Sequence, residues 1–466
     1  MSRHYHFIGI GGIGMGPLAL LTLARGNKVS GSDLKESPLT LRLREQGATI
    51  RIGHAESHIE SPDVVVYSSA VAQDNPEIVA AKNKNIQLVR RAQILAELAN
   101  TQTSVTVAGA HGKTTTTAMI ASLLLKAGLK PTTLVGGIID KETYNACLGD
   151  GKYVVTEVDE SDGSFLYFHP TYSVITNIDF EHVDYYHNWE NILTAYRQFI
   201  SQIAPEGFLI IWGEDKNLRQ LSEKAPCQVW TYGLDKDCDL IACNIKASGF
   251  ETSFDCKLKG KKLGRIDLKI PGTHNILNAL AATALCLKLG LEFKVISKGL
   301  SEYYGVQRRF QVKARGEGTV IVDDYGHHPT EIAATLRTAQ SLKEKRLVTV
   351  FQPHRYSRTK YLLNELAESL ALSDYLIITD IYAASEPPIE GVSADVLLEK
   401  TRNFKKNNLV YLTKGEVVPH LLKIIKKGDL ILTLGAGDIT RLGDDLINSL
   451  KNQGNAIDAA IEERVV

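Results

Sequence analysis

Residues 105–115 read Val-Thr-Val-Ala-Gly-Ala-His-Gly-Lys-Thr-Thr. An apolar strand runs into glycines, and Lys113-Thr114 then opens a helix that continues to about residue 127. A chain of this kind must place a strand end, a tight turn and a helix start at one point, which is the junction of a parallel α/β layer structure. Glycines at 109 and 112 let backbone N–H groups curl around phosphate oxygens, and the helix start adds a partial positive charge. Lys113 is placed to reach the outer phosphates of a nucleotide, and the Thr114 hydroxyl to ligate Mg²⁺. The spacing departs from the common GxxxxGK[ST] pattern, because Val107 stands where the first glycine would be. The bland alternative is a strand–helix turn capped by threonine, and the order strand, glycines, Lys-Thr, helix argues against it.

A nucleotide site needs metal ligands. The run Glu157-Val158-Asp159-Glu160-Ser161-Asp162 follows an apolar strand, and Asp179, Glu181, His182 and Asp184 follow the next one. Mg²⁺ takes one or two carboxylates together with hydroxyls, water and phosphate, so Glu157 and His182 join Thr114 as candidate ligands. Acidic strand ends are often only solvated loops, and a lone histidine is usually a satisfied polar residue.

A second glycine loop lies near the N-terminus. Gly9-Ile10-Gly11-Gly12-Ile13-Gly14 satisfies GxGxxG between a strand and a helix, and Asp33 follows the last glycine by 19 residues. Alone, this is the dinucleotide fingerprint and supports an NAD-dependent oxidoreductase. The same mechanics suit any diphosphate bound to Gly11, Gly12 and Gly14 with a ribose at Asp33, so a UDP-sugar satisfies them too. Two phosphate loops in one chain favour a substrate diphosphate in the first and ATP in the second.

The rhythm of the chain gives an α/β fold class with three blocks. Residues 1–100 form a Rossmann-like domain, 101–308 a central P-loop ATPase-type domain with a mostly parallel sheet, and 309–466 a second Rossmann-like domain. Residues 100–103 look like a polar linker, residues 227–270 like short strands with turns, and residues 276–289 like a helix rich in small residues. Lys plus Arg equals Asp plus Glu, 53 each, so no overall field draws the chain to nucleic acid or anionic lipid. Six scattered cysteines without a Cys-x-x-Cys pair fit a reducing compartment. No apolar run approaches the roughly 20 residues of a membrane span, so no membrane insertion is expected and the cytoplasm is the default location.

Taken together, the motifs resemble the Mur ligases. The resemblance rests on residues 6–15, 109–117 and 157–165, on Gly272-Thr273-His274-Asn275 with Asn278, on Arg308-Arg309-Phe310, and on residues 323–329 and 351–359. It covers all three blocks and implies domains for UDP-sugar, ATP and amino acid, in that order. It implies that ATP lies on Gly109, Ala110, His111, Gly112, Lys113, Thr114 and Thr115, with Mg²⁺ on Thr114, Glu157 and His182. His274, Asn275 and Asn278 would hold the adenine, and Arg309 and Asp324 would reach phosphate and ribose. His354, Arg355 and Arg358 would receive the amino acid, for which a guanidinium fork is suited to the carboxylate. The activity implied is ATP-dependent joining of L-alanine to UDP-N-acetylmuramate through an acyl phosphate. Ala110 stands where many members have Thr, and Glu181 where Asp is common. Tyr196-Arg197-Gln198-Phe199 offers no lysine for the carbamoylation some relatives use, as expected for the alanine-adding branch. A ligase recycling murein tripeptide is the competing reading within the family, but that branch carries Phe-Ala where Tyr325-Gly326 stands here. An oxidoreductase and a nucleotide-dependent binding or transport module are the readings from other classes.

Overall fold

The structure, a computed structural model, describes residues 2–12, 14–68, 71–137, 146–316, 318–342, 346–453 and 458–459; Ile13 of the first glycine loop lies outside them. The chain divides into two compact units. The first comprises Met1–Ile241, Lys257–Lys262 and Asn278–Gly299, and the second Ala242–Cys256, Leu263–Leu277 and Leu300–Val466.

The first unit holds two sheets. The N-terminal one has five parallel strands in the order Thr49–Ile52, Lys28–Asp33, His4–Ile8, Val64–Tyr67, Gln87–Arg90. Phe7, Ile8, Val65 and Val66 are fully buried, as expected where helices cover both faces of a parallel sheet. The order reverses at the first strand, so the glycine loop that leaves Ile8 sits at the switch point where such sheets bind ligands.

The other sheet places the phosphate loop. Thr103–Ala108 pairs in parallel with Tyr153–Glu157 on one side and Tyr172–Ile175 on the other. All three strands run the same way, so the loop after Ala108 emerges between the loop that carries Glu157–Asp162 and the loop that carries Thr176–His182. Phe208–Trp212 and Gln228–Gly233 extend the sheet beyond Tyr172–Ile175, and Thr132–Leu134 extends it beyond Tyr153–Glu157. The expected linker at 100–103 is not one. The helix Arg91–Asn100 leaves only two residues before Thr103 begins the next strand.

Residues 227–270 form longer strands than their sequence suggests: Gln228–Gly233, Leu240–Ser248, Glu251–Leu258 and Lys261–Leu268. The helix expected from residue 276 runs Thr273–Lys288, so His274 and Asn275 lie in its first turn. Within the second unit, five strands run parallel in the order Leu409–Tyr411, Tyr375–Ile378, Arg346–Phe351, Asp429–Leu434, Thr319–Asp324, and Gln311–Gly316 joins antiparallel. Every residue of Thr319–Asp324 and of Asp429–Leu434 is buried. Asp324 and His354 therefore sit at or just beyond the carboxyl ends of Thr319–Asp324 and Arg346–Phe351, parallel strands of one sheet that flank Asp429–Leu434, on the edge where this fold type places ligands.

Candidate active site

The turn between Thr103–Ala108 and the helix Lys113–Lys126 depends on Gly109 and Gly112, with φ of +125° and +82°. A Cβ at 112 would meet Asn278 Oδ1 at 2.6 Å, so both the backbone and the space exclude a side chain. Asn177 fastens the loop from the neighbouring strand end. Its carbonyl accepts from Ala110 N at 3.2 Å, and its Oδ1 from His111 N at 2.9 Å. His111 Nε2 lies 2.8 Å from Asp179 Oδ2. Asn278 Oδ1 accepts from the Thr116 hydroxyl at 3.2 Å, which ties the helix Thr273–Lys288 to the phosphate-loop helix. Asn275 donates to the Pro271 carbonyl at 2.7 Å.

Lys113 donates to both oxygens of Glu160, at 2.9 and 2.8 Å, and to the Gly109 carbonyl at 2.5 Å. Burial disfavours its ammonium, but the charges of Glu160 and Asp159 outweigh burial and hold the lysine above its ordinary pKa. Thr114 donates to Glu157 Oε2 at 2.8 Å. His182 Nε2 lies 3.4 Å from Glu160 Oε1 and 3.7 Å from Glu181 Oε2. Burial pulls that imidazole down and Glu160 and Glu181 push it up, with a net rise. One ligand atom each from Glu160, Glu181 and His182 falls within 4.8 Å of the others. Two carboxylates and one imidazole make this cluster, and the Thr114 hydroxyl with Glu157 makes a second oxygen pair; oxygen donors of this kind fit a hard divalent cation of the Mg²⁺ type.

The structure thus joins Thr114 to Glu157, and joins Lys113 and His182 through Glu160. Glu160 is the residue that sequence reading passed over. It stands in the acidic run already noticed, three residues after Glu157, where only the fold distinguishes it.

The N-terminal glycine loop opens on a cavity of about 940 Å³ lined by Gly9, Gly12, Gly14, Asp33, His54 and Arg91 on one side and by Val135, Gly136, Thr156 and Glu157 on the other. Gly11 N donates to Asp33 Oδ2 at 2.8 Å, so this carboxylate braces the loop as well as lining the cavity. Arg91 packs on Gly14 and puts a guanidinium beside the loop, a second group the motif search did not select. Gly136 lies so close to Glu157 Oε1 that any side chain at 136 would displace the carboxylate.

In the second unit, Asp324 accepts from Phe310 N at 2.7 Å, Gly326 N at 2.8 Å and Thr335 Oγ1 at 3.2 Å. Burial drives its pKa up to about 6 against the pull of Arg309. Arg309 lies 5.0 Å above the Tyr325 ring and 3.8 Å from Glu331. Burial lowers His274 to about 4. His354, also pushed down to about 4 by burial and then by Arg358, stacks on Tyr382 with ring centroids 5.5 Å apart. Arg358 NH1 donates to His354 Nδ1 at 3.0 Å. Arg355 lies 3.9 Å from Glu386 and adopts φ +68°. Left-handed backbone recurs at Arg308, Phe310 and His182, at φ +60°, +48° and +55°. Such conformations in residues other than glycine collect at functional sites, where surrounding structure imposes them.

Fold, phosphate loop and acidic strand ends together define an α/β ligase-type nucleotide site, and comparison with known proteins gives its family. Residues 4–103 match the Mur ligase family catalytic domain, 107–286 the Mur ligase middle domain, and 308–437 the Mur ligase glutamate ligase domain. The chain belongs to the Mur ligase family. It is 47% identical over 448 residues to a UDP-N-acetylmuramate–L-alanine ligase of Trichlorobacter lovleyi, covering 96% of this chain and 98% of that protein. A protein of the same name from Geobacter sulfurreducens is 45% identical, with 97% and 98% covered. The crystal structure of a UDP-N-acetylmuramate–alanine ligase from Thermotoga maritima superimposes with a TM-score of 0.82 at 31% identity, covering 97% of this chain and all of that one. A murein peptide ligase from Psychrobacter arcticus gives a TM-score of 0.71 at 26% identity, covering 97% and 99%.

Proposed function

We propose that this enzyme joins L-alanine to UDP-N-acetylmuramate at the expense of ATP, forming an amide and releasing ADP and phosphate in the synthesis of peptidoglycan precursors. The observation that carries the reading is the meeting of two features at Glu157, which lines the cavity of the N-terminal glycine loop and accepts from Thr114 at the start of the phosphate-loop helix. A carboxylate substrate in that cavity would end where a terminal phosphate on the helix begins. The closer similarity to alanine-adding ligases than to the murein peptide ligase favours a single amino acid over a tripeptide.

In the reaction, a carboxylate oxygen of the sugar acid attacks the γ-phosphorus, the bond to the β-bridging oxygen breaks, and ADP leaves. The alanine nitrogen then attacks the acyl carbon, loses a proton, and inorganic phosphate departs. Phosphoryl transfer chiefly requires positioning and charge neutralisation. Lys113 supplies a fixed positive charge at the phosphates, Gly109–Thr115 backbone N–H groups orient them, and Asn278 holds the helix start in register. Mg²⁺, held by Thr114, Glu157 and His182, would neutralise phosphate charge when bound. His274, Asn275, Arg309 and Asp324 keep the ATP contacts that the family resemblance implies. Arg355 and Arg358 supply guanidinium groups suited to the alanine carboxylate, and neutral His354, hydrogen-bonded to Arg358, would line the same place. Among the described residues no helix is long and apolar enough to cross a membrane.

One incubation with ATP, Mg²⁺, UDP-N-acetylmuramate and a panel of amino acids, followed by product mass, tests this. The expected product is the L-alanyl amide, with one ADP per amide and no change in nicotinamide absorbance. ATP hydrolysis without an amide, or coupling only of a tripeptide, would overturn it.

A further inference from the structure

Glu77, in the first turn of the helix Pro76–Asn83, is fully buried, and no lysine or arginine reaches it among the described residues. Its charge is balanced instead by hydrogen bonds. Oε2 accepts from Ser32 Oγ at 2.6 Å and from His6 Nε2 at 3.1 Å. Oε1 accepts from His58 Nδ1 at 2.8 Å and from Ala55 N at 3.3 Å. Burial works against the carboxylate, but His6, Ser32 and His58 bring its pKa down to about 2, so it acts only as an acceptor.

That fixes the proton on His54. Ser32 has one hydroxyl proton and gives it to Glu77. Its oxygen can therefore only accept from His54 Nδ1, which lies 3.0 Å away and 3.4 Å from Glu77 Oε1. A neutral imidazole with Nδ1 protonated carries a lone pair on Nε2. Nε2 has no hydrogen-bond partner in the described protein, and His54 lines the large cavity. Its place there is specific. Gly9 follows Ile8 at the end of the first strand of the sheet, Asp33 ends the second, and His54 lies two residues beyond Ile52 at the end of the third. Along that edge, diphosphate at the glycines and ribose at Asp33 leave the nucleoside end of the ligand nearest His54.

We propose that His54 Nε2 accepts a hydrogen bond from a donor on the nucleoside of the UDP-sugar, the uracil imide N–H or a ribose hydroxyl, and that Glu77 is the positioning residue that locks His54 in this tautomer. The inference rests on reading the cavity as the UDP-sugar site. It makes His54 a specificity contact, because an acceptor at this point favours a base or sugar that presents a donor and opposes one that presents another acceptor.

Two measurements test it. In protein labelled with ¹⁵N-histidine, with His54 signals assigned by their loss in His54→Gln, wild type should show the Nδ1–H tautomer. Glu77→Gln should shift it towards Nε2–H. An Nε2–H tautomer in wild type overturns the lock. In calorimetry with UDP, His54→Ala should weaken binding about tenfold while ATP binding is unchanged. N3-methyl-UDP and 2′- or 3′-deoxy-UDP then locate the donor. One of them should bind wild type about tenfold more weakly than UDP, and that deficit should vanish in His54→Ala. Deficits that persist in His54→Ala, or UDP binding unaltered by the substitution, overturn the contact alone. No UDP binding by wild type would instead overturn the reading of the cavity, and the contact with it. The His54 variants stand independently of whether Glu77→Gln folds.

Discussion

In the first unit, Lys113 is held above the ordinary lysine pKa by Glu160 at 2.8 Å, and Glu77 is held down at about 2 by the hydroxyl and imidazoles around it. In the second unit the shifts go the other way: Asp324 rises to about 6, while His274 and His354 fall to about 4. All five groups are buried or half-buried where strands end or helices begin. Lys113 and Glu77 are surrounded by partners that favour the charged form, whereas at Asp324, His274 and His354 burial dominates and favours the neutral form. The difference teaches that a site on this fold type can carry its own counter-charges or can be kept uncharged until a ligand supplies them.

The largest expected effect breaks the first half of the comparison. Lys113→Ala should lower ATP-dependent amide formation by about a hundredfold to a thousandfold, read as ADP release, since the loss of one preorganised charge at the phosphates costs about 3–4 kcal/mol in the transition state. Normal turnover would refute the role given to the lysine. The same substitution leaves Glu160 buried without its cation and should cost about 3–5 kcal/mol of stability in urea unfolding. Adding Glu160→Gln should restore most of that stability and none of the turnover.

Asp324→Asn sharpens the second half. A carboxyl with a raised folded pKa binds more protons in the native than in the unfolded state between about pH 4 and 6, so its contribution falls as pH rises through that window. Relative to the variant, wild type should therefore gain up to about 3 kcal/mol on going from pH 7 to pH 4. The imidazoles lowered by burial, His4, His274, His327 and His354, act in the opposite sense in both proteins, because the unfolded state binds their protons first as pH falls below 6.5. A stability difference that does not vary with pH would show that Asp324 is not the group at work. The smallest effect concerns Arg358→Ala, which should raise the KM for L-alanine about tenfold and leave the KM for ATP unchanged. An equal rise for both substrates would place the guanidinium elsewhere in the reaction.

What the sequence made legible were the features built from consecutive residues. Gly109 to Thr115 announces its turn and its helix because one local conformation needs all of them. Glu160 was hidden among neighbouring acids, since its value comes from Lys113, 47 residues away in the chain, and only the parallel pairing of Thr103–Ala108 with Tyr153–Glu157 brings the two together. Asn177 escaped for the same reason. The strands between 240 and 268 looked short because Lys257, Lys259, Lys261 and Lys262 interrupt the apolar pattern, yet Phe254, Cys256 and Ile266 point inward and are fully buried. At 273–275 the polar run Thr-His-Asn read as a helix approach; Gly272, at φ +100°, turns the chain just before it and lets the helix begin early.

Because the ammonium of Lys113 is already gripped by a carboxylate and loop carbonyls, any anion that enters must outbid them. On the proposed reading of the site, a nucleoside triphosphate would do so by engaging the whole turn and the helix start at once, which a lone orthophosphate or sulfate is too short to span. Release of the lysine would then report the length of the phosphate chain rather than its charge alone.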